Sequence, residues 1–256
     1  MYKVLRIKLK DEQLDILENC KGSFAPEKRG ISSDYFKNLQ IIEDSGNREI
    51  DMIEKMNTLF PLDNYDVFLS HSHNDLLKAQ KLKKYLETYL GLSVFLDSEV
   101  WENSTEFLKS LDNKYCKNEH ENTYNYDKRN FSTTHVHMML AASILKMIDK
   151  AECVLLFATD NYAKNEDSGI EQMDSAWIYY EYLVSQHIKP KSLGRSFKHK
   201  AFDESAKFED KKPFEPIYKV DFKDIPLIEY SAIKKLHTLG LIKTDYLDKL
   251  YELYTK

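Results

Sequence analysis

The chain has 256 residues, 42% of them hydrophobic and 31% charged, and its formal net charge is −5. This composition is typical of a globular protein with one large domain or a medium domain plus an extension, and it excludes collagen-like and wholly disordered chains. Lysines and acidic residues are interspersed along the chain, so we expect neither nucleic acid nor a membrane surface as a partner.

Three features predict a cytoplasmic protein. Cys20, Cys116 and Cys153 are too few and too far apart for a disulfide framework or a zinc site, which favours a reducing compartment. The N-terminal residues carry frequent charges instead of the apolar core of a signal peptide. The apolar run over 138–148 is about half the length that a bilayer requires.

Residues 1–62 are predicted to form a mostly helical N-terminal extension. After a short alternating start, Asp11 can cap a brief helix, and a second apolar pattern at helical spacing runs over 50–59 and stops before Pro61. An extension packed on the main domain and a partner-binding or regulatory arm both fit this pattern.

Residues 63–225 are predicted to form a three-layer α/β domain with a central parallel sheet. Short apolar runs over 65–70 and 93–96 are typical of buried strands, and an amphipathic helix over 74–89 separates them. Strand, helix and strand within about 30 residues form a βαβ unit, whose strands are parallel. A third buried strand is predicted over 153–157.

The segment over 97–134 is polar and has neither glycine nor proline. We predict a long inserted loop there, with helical character around Phe107 and Leu111. The rest of the chain alternates amphipathic helices with one more strand: helices over 135–150, 175–186 and 226–256, and a strand over 217–220.

Polar side chains gather where the predicted strands end, which is the edge at which open α/β sheets bind ligands. The candidates after the first two strands are Ser70, His71, Ser72, His73, Asp97 and Trp101. After the third strand, the helix over 175–186 carries Trp177 and Glu181, which share one face because they are four residues apart. By itself, this pair more often marks a core tryptophan followed by a solvated glutamate.

Three segments together resemble one family, the Toll/interleukin-1 receptor (TIR) domains. The sequence Tyr-Asp-Val-Phe-Leu-Ser-His over 65–71 resembles their first box, and residues 91–97 resemble their second strand as it enters the BB loop. Residues 153–158, with Ser175-x-Trp177-x3-Glu181, resemble their third strand and the helix after it. The order and spacing agree over residues 65 to about 190.

The resemblance implies a flavodoxin-like sheet and one of two functions. Some TIR domains are non-catalytic assembly modules, whereas others cleave NAD+ at the nicotinamide–ribose bond with a glutamate on this helix, which is Glu181 here. The Ser-x-Trp-x3-Glu arrangement resembles plant and bacterial catalytic members. It favours a bacterial NAD+ glycohydrolase or cyclase, with a setting in anti-phage defence signalling that rests on the family alone. NAD+ is then the substrate and no cofactor is needed. Self-association through TIR surfaces is implied, and a downstream effector or sensor protein is a further candidate partner.

The chemistry suits a site with few catalytic groups. Nicotinamide is cationic in NAD+ and leaves as a neutral molecule, so the reaction needs no general acid. A fixed carboxylate can stabilise the positive charge that develops on the ribose. We expect Glu181 to have this role, and we expect the Trp177 ring to line the part of the site that holds the nicotinamide end of NAD+. Water as acceptor would give ADP-ribose, and another part of the same molecule would give a cyclic isomer.

The chain also departs from the family. Its BB loop lacks the usual proline and glycine, and histidines 71 and 73 stand where related catalytic members often carry basic residues. We expect no metal at the His-x-His pairs 71/73 and 135/137, because no Cys or carboxylate completes a four-ligand set at short spacing. A serine nucleophile is disfavoured because no GxSxG elbow is present. An unrelated flavodoxin-like nucleotide-processing enzyme is the third alternative.

Overall fold

The computed structural model describes residues 3–21, 50–59, 64–118, 123–165, 171–188 and 217–254, without the side chains of 58–59, 99–103 and 165. The strands in this part of the chain are β1 (Lys3–Ile7), β2 (Val67–Ser70), β3 (Val94–Leu96), β4 (Cys153–Phe157), β5 (Lys164–Asn165), β6 (Glu171–Met173), β7 (Tyr218–Val220) and β8 (Leu227–Ile228). The α-helices are α1 (Asp11–Glu18), α2 (Met52–Leu59), α3 (Leu76–Thr88), α4 (Ser98–Leu111), α5 (Tyr126–Lys150), α6 (Ala176–His187), α7 (Tyr230–Thr238) and α8 (Lys243–Tyr254).

Five strands form a parallel sheet in the order β3-β2-β4-β1-β8. Every residue of β2, β3 and β4 is buried, as expected for parallel strands that are covered on both faces. The predicted strands over 65–70, 93–96 and 153–157 are therefore confirmed within two residues at each end. Among the residues described, no helix is both long and apolar enough to cross a membrane.

Helices cover both faces of the sheet, so the chain forms three layers. Successive strand residues point to opposite faces, and Leu155 and Phe157 accordingly lie in one core while Val154 and Leu156 lie in the other. The first core packs against α1, α3, α7 and α8, and the second packs against α2, α4, α5 and α6. The predicted α/β architecture with a central parallel sheet is confirmed.

The N-terminal strand corrects the prediction of a mostly helical extension. β1 lies inside the sheet between β4 and β8, where Lys3 pairs with Cys153 and Ile7 pairs with Phe157. The boundary at residue 62 therefore does not mark the start of the sheet, although α1 and α2 match the two predicted helices. Similarly, β8 lies in the C-terminal segment that was predicted to be helical throughout. Residues 22–49 lie outside the described residues.

The predicted loop over 97–134 is wrong, because most of this segment is helical. α4 occupies residues 98–111, a π-helical turn follows over Asp112–Cys116, and α5 begins at Tyr126 instead of near residue 135. Asn125 caps α5 by accepting a hydrogen bond from the amide of Lys128 at 3.0 Å. The segment looked like a loop because polar residues dominate it and few apolar positions, Phe107 among them, reach the core.

A second, smaller sheet is antiparallel and has the strand order β5-β6-β7. The strand predicted over 217–220 is present as β7, but it pairs here and not with the main sheet. The basic segment over 189–212 lies outside the described residues.

Candidate functional site

The site lies where the path of the chain reverses across the sheet. From β2 the chain passes through α3 on one face to reach β3, and from β3 it passes through α4 and α5 on the other face to reach β4, which pairs with the opposite side of β2. The carboxyl ends of β2 and β4 therefore flank a topological switch point, the position at which open α/β sheets bind ligands.

Glu181 lies at this switch point and is completely buried, with 0% of its surface exposed. It stands in the second turn of α6, whose N-terminus is capped by the Ser175 side chain. Ser70, the last residue of β2, donates a hydrogen bond from Oγ to Glu181 Oε2 at 2.6 Å. The Tyr162 hydroxyl lies 3.1 Å from the same Ser70 oxygen. A carboxyl, a serine and a tyrosine thus form a buried hydrogen-bonded chain.

Burial raises the pKa of Glu181 well above its ordinary value, because the ionised carboxylate loses its hydration. The nearby carboxyl of Asp97 raises this pKa further, by charge repulsion and by a side-chain hydrogen bond, and the hydrogen bond from Ser70 opposes these effects. The site therefore holds a buried carboxyl that resists ionisation.

Asp97 and His71 meet beside Glu181 because of the strand register. Leu69 of β2 pairs with Leu96 of β3, so the residues that follow the two strands are neighbours. His71 Nδ1 lies 2.8 Å from Asp97 Oδ1, and both side chains are less than one-tenth exposed. The His71 ring is 99% buried, and neither ring nitrogen has a hydrogen-bond partner among the described residues, because the close contact with Asp97 lacks hydrogen-bond geometry.

The structure brings some of the predicted site residues together and separates others. Ser70, His71, Asp97 and Glu181 form the buried cluster, and Ser72 is buried next to it in the chain. His73 is exposed and starts a 3-10 turn over 73–75. Trp101 was also predicted to be a site residue, but its side chain lies outside the described residues.

Trp177 contributes to the packing of α6 against α5. Its ring meets His137 of α5 edge-on, with the ring centroids 5.6 Å apart, and meets Tyr180 of its own helix in the same way. The Tyr180 hydroxyl donates to the Ala141 carbonyl of α5 at 3.0 Å. These contacts fix the rotation of α6 and so support the inward direction of Glu181 one turn later.

Sequence reasoning missed Tyr162, which follows β4 and closes the hydrogen-bonded chain. The candidate site residues also left out Asp75, although it stands in the polar run after the first strand. Its buried carboxylate accepts hydrogen bonds from Thr159 at 2.5 Å and from Asn161 at 3.0 Å. Asp75 thereby ties the turn after β2 to the loop after β4. For Tyr162, the available signal was its position in the polar loop that follows the third predicted strand.

The described residues contain no group of three or more His, Cys, Asp or Glu placed to hold a metal ion. His135 and His137 lie inside α5, where their rings pack against Phe131 and Trp177, respectively. Their side chains therefore point in different directions, as expected for residues two apart on a helix.

Comparison of the chain with protein-family models, with curated proteins and with solved structures gives no match. The TIR resemblance therefore rests on the sequence segments described above. The geometry of the Glu181 site is the other observation that bears on function.

Proposed function

We propose that this protein is an NAD+ glycohydrolase or cyclase that cleaves the nicotinamide–ribose bond. The observation that carries the proposal is the buried carboxyl group of Glu181, held by Ser70 at the switch point of a parallel sheet. This carboxylate belongs to the Ser-x-Trp-x3-Glu pattern of α6. The products are nicotinamide and either ADP-ribose or a cyclic ADP-ribose isomer.

The proposal includes a TIR-type fold with a cytoplasmic, bacterial defence setting and self-association. In the order β3-β2-β4, the first three positions of the sheet have the relative order 2-1-3 of a flavodoxin-like sheet. The next position is filled by the N-terminal strand β1, which lies between β4 and β8. The N-terminal segment is thus part of the sheet that supports the site.

The mechanism assigns charge stabilisation to Glu181. As the bond to nicotinamide breaks, positive charge develops on the ribose, and an ionised carboxylate at close range lowers the energy of that state. A buried site strengthens the attraction because water does not screen it. Ser70 holds the carboxylate in one orientation through the 2.6 Å hydrogen bond, so that little reorganisation is needed during the reaction.

A second candidate function is that of a non-catalytic TIR assembly module. The observation that favours it is the complete burial of Glu181, together with the burial of His71 and Asp97. NAD+ can reach this carboxylate only after local opening of the site. In an assembly module, the chain from Glu181 through Ser70 to Tyr162 would serve as a structural network in the core.

Release of nicotinamide from NAD+ by the purified protein distinguishes the two functions. We expect release, measured by HPLC at several protein concentrations and with a crowding agent, that Glu181→Gln abolishes. Glu106→Gln is the control because this glutamate is exposed on α4. The co-product separates hydrolysis from cyclisation. Absence of release under all these conditions would contradict the enzymatic proposal and favour the assembly module, in which Glu181→Ala leaves self-association intact.

A further inference from the structure

The Glu181 site contains two carboxyl groups and one imidazole, all shielded from solvent. Glu181, Asp97 and His71 are 0%, 7% and 2% exposed, respectively. Two neighbouring buried carboxylates repel each other, and one of them keeps its proton unless a third group compensates the charge. The proposed reaction requires Glu181 to be ionised, and the neighbouring Asp97 carboxyl opposes this ionisation.

His71 is the group placed to compensate Asp97. Its Nδ1 lies 2.8 Å from Asp97 Oδ1, within the distance of an ion pair, although the orientation of the ring makes neither of its nitrogens part of a hydrogen bond among the described residues. An imidazolium at this distance stabilises a carboxylate by charge attraction.

The other groups that face Glu181 do not change charge near neutral pH. Ser70 donates its hydroxyl from the end of β2, and Tyr162 contributes a second hydroxyl from the loop after β4. Burial raises the pKa of Tyr162, so this phenol stays neutral. The titratable groups that set the charge of the site are thus Glu181, Asp97 and His71.

We propose that His71 is a positioning residue: by engaging Asp97, it allows Glu181 to carry the negative charge that the reaction needs. This inference rests on the proposed function, since it concerns the same carboxylate. His71 acts through Asp97 and has no direct role in bond cleavage.

The two groups have opposite effects on Glu181. Removal of His71 takes the imidazole away from the Asp97 carboxylate, and Glu181 then keeps its proton to a higher pH. Removal of the Asp97 charge by Asp97→Asn has the reverse effect, and Glu181 then ionises at a lower pH. Once Asp97 is neutral, removal of His71 should change nothing further, because its effect passes through the Asp97 charge.

Infrared spectroscopy measures this ionisation without any enzymatic activity. The carbonyl band of a protonated carboxyl disappears on ionisation, and the band missing from Glu181→Gln identifies Glu181. Exposed carboxyl groups are ionised above about pH 6, so they do not contribute there. We expect His71→Phe to move the Glu181 titration up, and Asp97→Asn to move it down, each by about one pH unit or more. His71→Phe combined with Asp97→Asn should titrate like Asp97→Asn alone.

Two further variants keep the test specific. If His71→Phe does not fold, His71→Gln takes its place. The glutamine amide lies near the position of the histidine Nε2, so this variant also removes the contact that Nδ1 makes with Asp97. His73→Asn is the matched control, since this histidine is exposed two residues away, and the Glu181 titration should not move.

An unchanged Glu181 titration in the folded His71 variants would overturn the inference, as would an equal shift when Asp97 is already Asn. Either result is independent of whether the protein releases nicotinamide. Failure of the inference and failure of the proposed function are therefore distinguishable.

Discussion

Replacement of Glu181 by Gln should stabilise the protein, and the gain should grow with pH. Folding raises the pKa of Glu181 above its ordinary value of 4.5, because the folded state buries the carboxyl and places Asp97 beside it. The raised pKa therefore stabilises the folded state, and this stabilisation is complete below the ordinary pKa of the carboxyl. It is lost as the pH rises through the pKa of the folded state. Gln keeps the shape and an acceptor oxygen for Ser70 but has no proton to lose.

The magnitude follows from proton linkage. Between the two pKa values, the folded state holds one proton more than the unfolded chain. The free energy of unfolding of the parent protein then falls by about 1.4 kcal/mol per pH unit from this group alone. For a chain of this size, that slope corresponds to a melting temperature difference that widens by about 3–6 °C per pH unit. The difference becomes constant once Glu181 is ionised in the folded state.

Urea unfolding of the parent and of Glu181→Gln, repeated from acidic to alkaline pH, gives the difference directly. Glu106→Gln is the control, because it makes the same substitution at an exposed glutamate of α4. A flat difference curve for Glu181→Gln would refute the reasoning. So would a variant that becomes less stable than the parent as pH rises, since either result means that folding does not raise this pKa.

Other variants test neighbouring contacts. Ser70→Ala should lower the free energy of unfolding by about 1.5–3 kcal/mol at a pH where Glu181 is ionised, and by less in acid. Ser143→Ala removes a buried hydrogen bond to the neutral Met139 carbonyl, so its effect on the free energy of unfolding should be the same at every pH. Phe107→Ala should lower the free energy of unfolding by about 3–5 kcal/mol in urea titrations, and a loss below 1 kcal/mol, on the order of a surface substitution, would contradict its burial. Burial raises the pKa of the Cys153 thiol to about 12, so a thiol reagent should modify half-buried Cys20 first; equal rates would contradict this order.

The sequence by itself determined the elements whose pattern reflects burial. The runs over 65–70, 93–96 and 153–157 are apolar because parallel strands are covered on both faces. Such a continuous apolar run can be recognised in the sequence without knowledge of the fold. The switch-point residues Ser70 and Asp97 were found in the same way, since they stand at the ends of such strands. Glu181 was singled out by the Ser-x-Trp-x3-Glu pattern, whose meaning came from the resemblance to TIR domains. Local patterns also predicted α1, α2, α3 and α6.

The tertiary structure decided where β1 belongs and what the long polar segment forms. A five-residue strand at the N-terminus has too few residues to show its partners, and only pairing with β4 and β8 places it inside the sheet. In the segment after β3, Phe107 and Leu111 pack on the core from one side of α4. A sparse apolar stripe of this kind is weak as a sequence signal.

The protonation state of the site is also a property of the tertiary structure alone. Glu181 lies 84 positions after Asp97 and 111 after Ser70 in the sequence, and no spacing rule relates them. Their electrostatic coupling depends on distance and on exclusion of water, which exist only once three strand ends and α6 meet. The sequence supplied the identity of the groups, and packing placed Asp97 where it raises the pKa of Glu181.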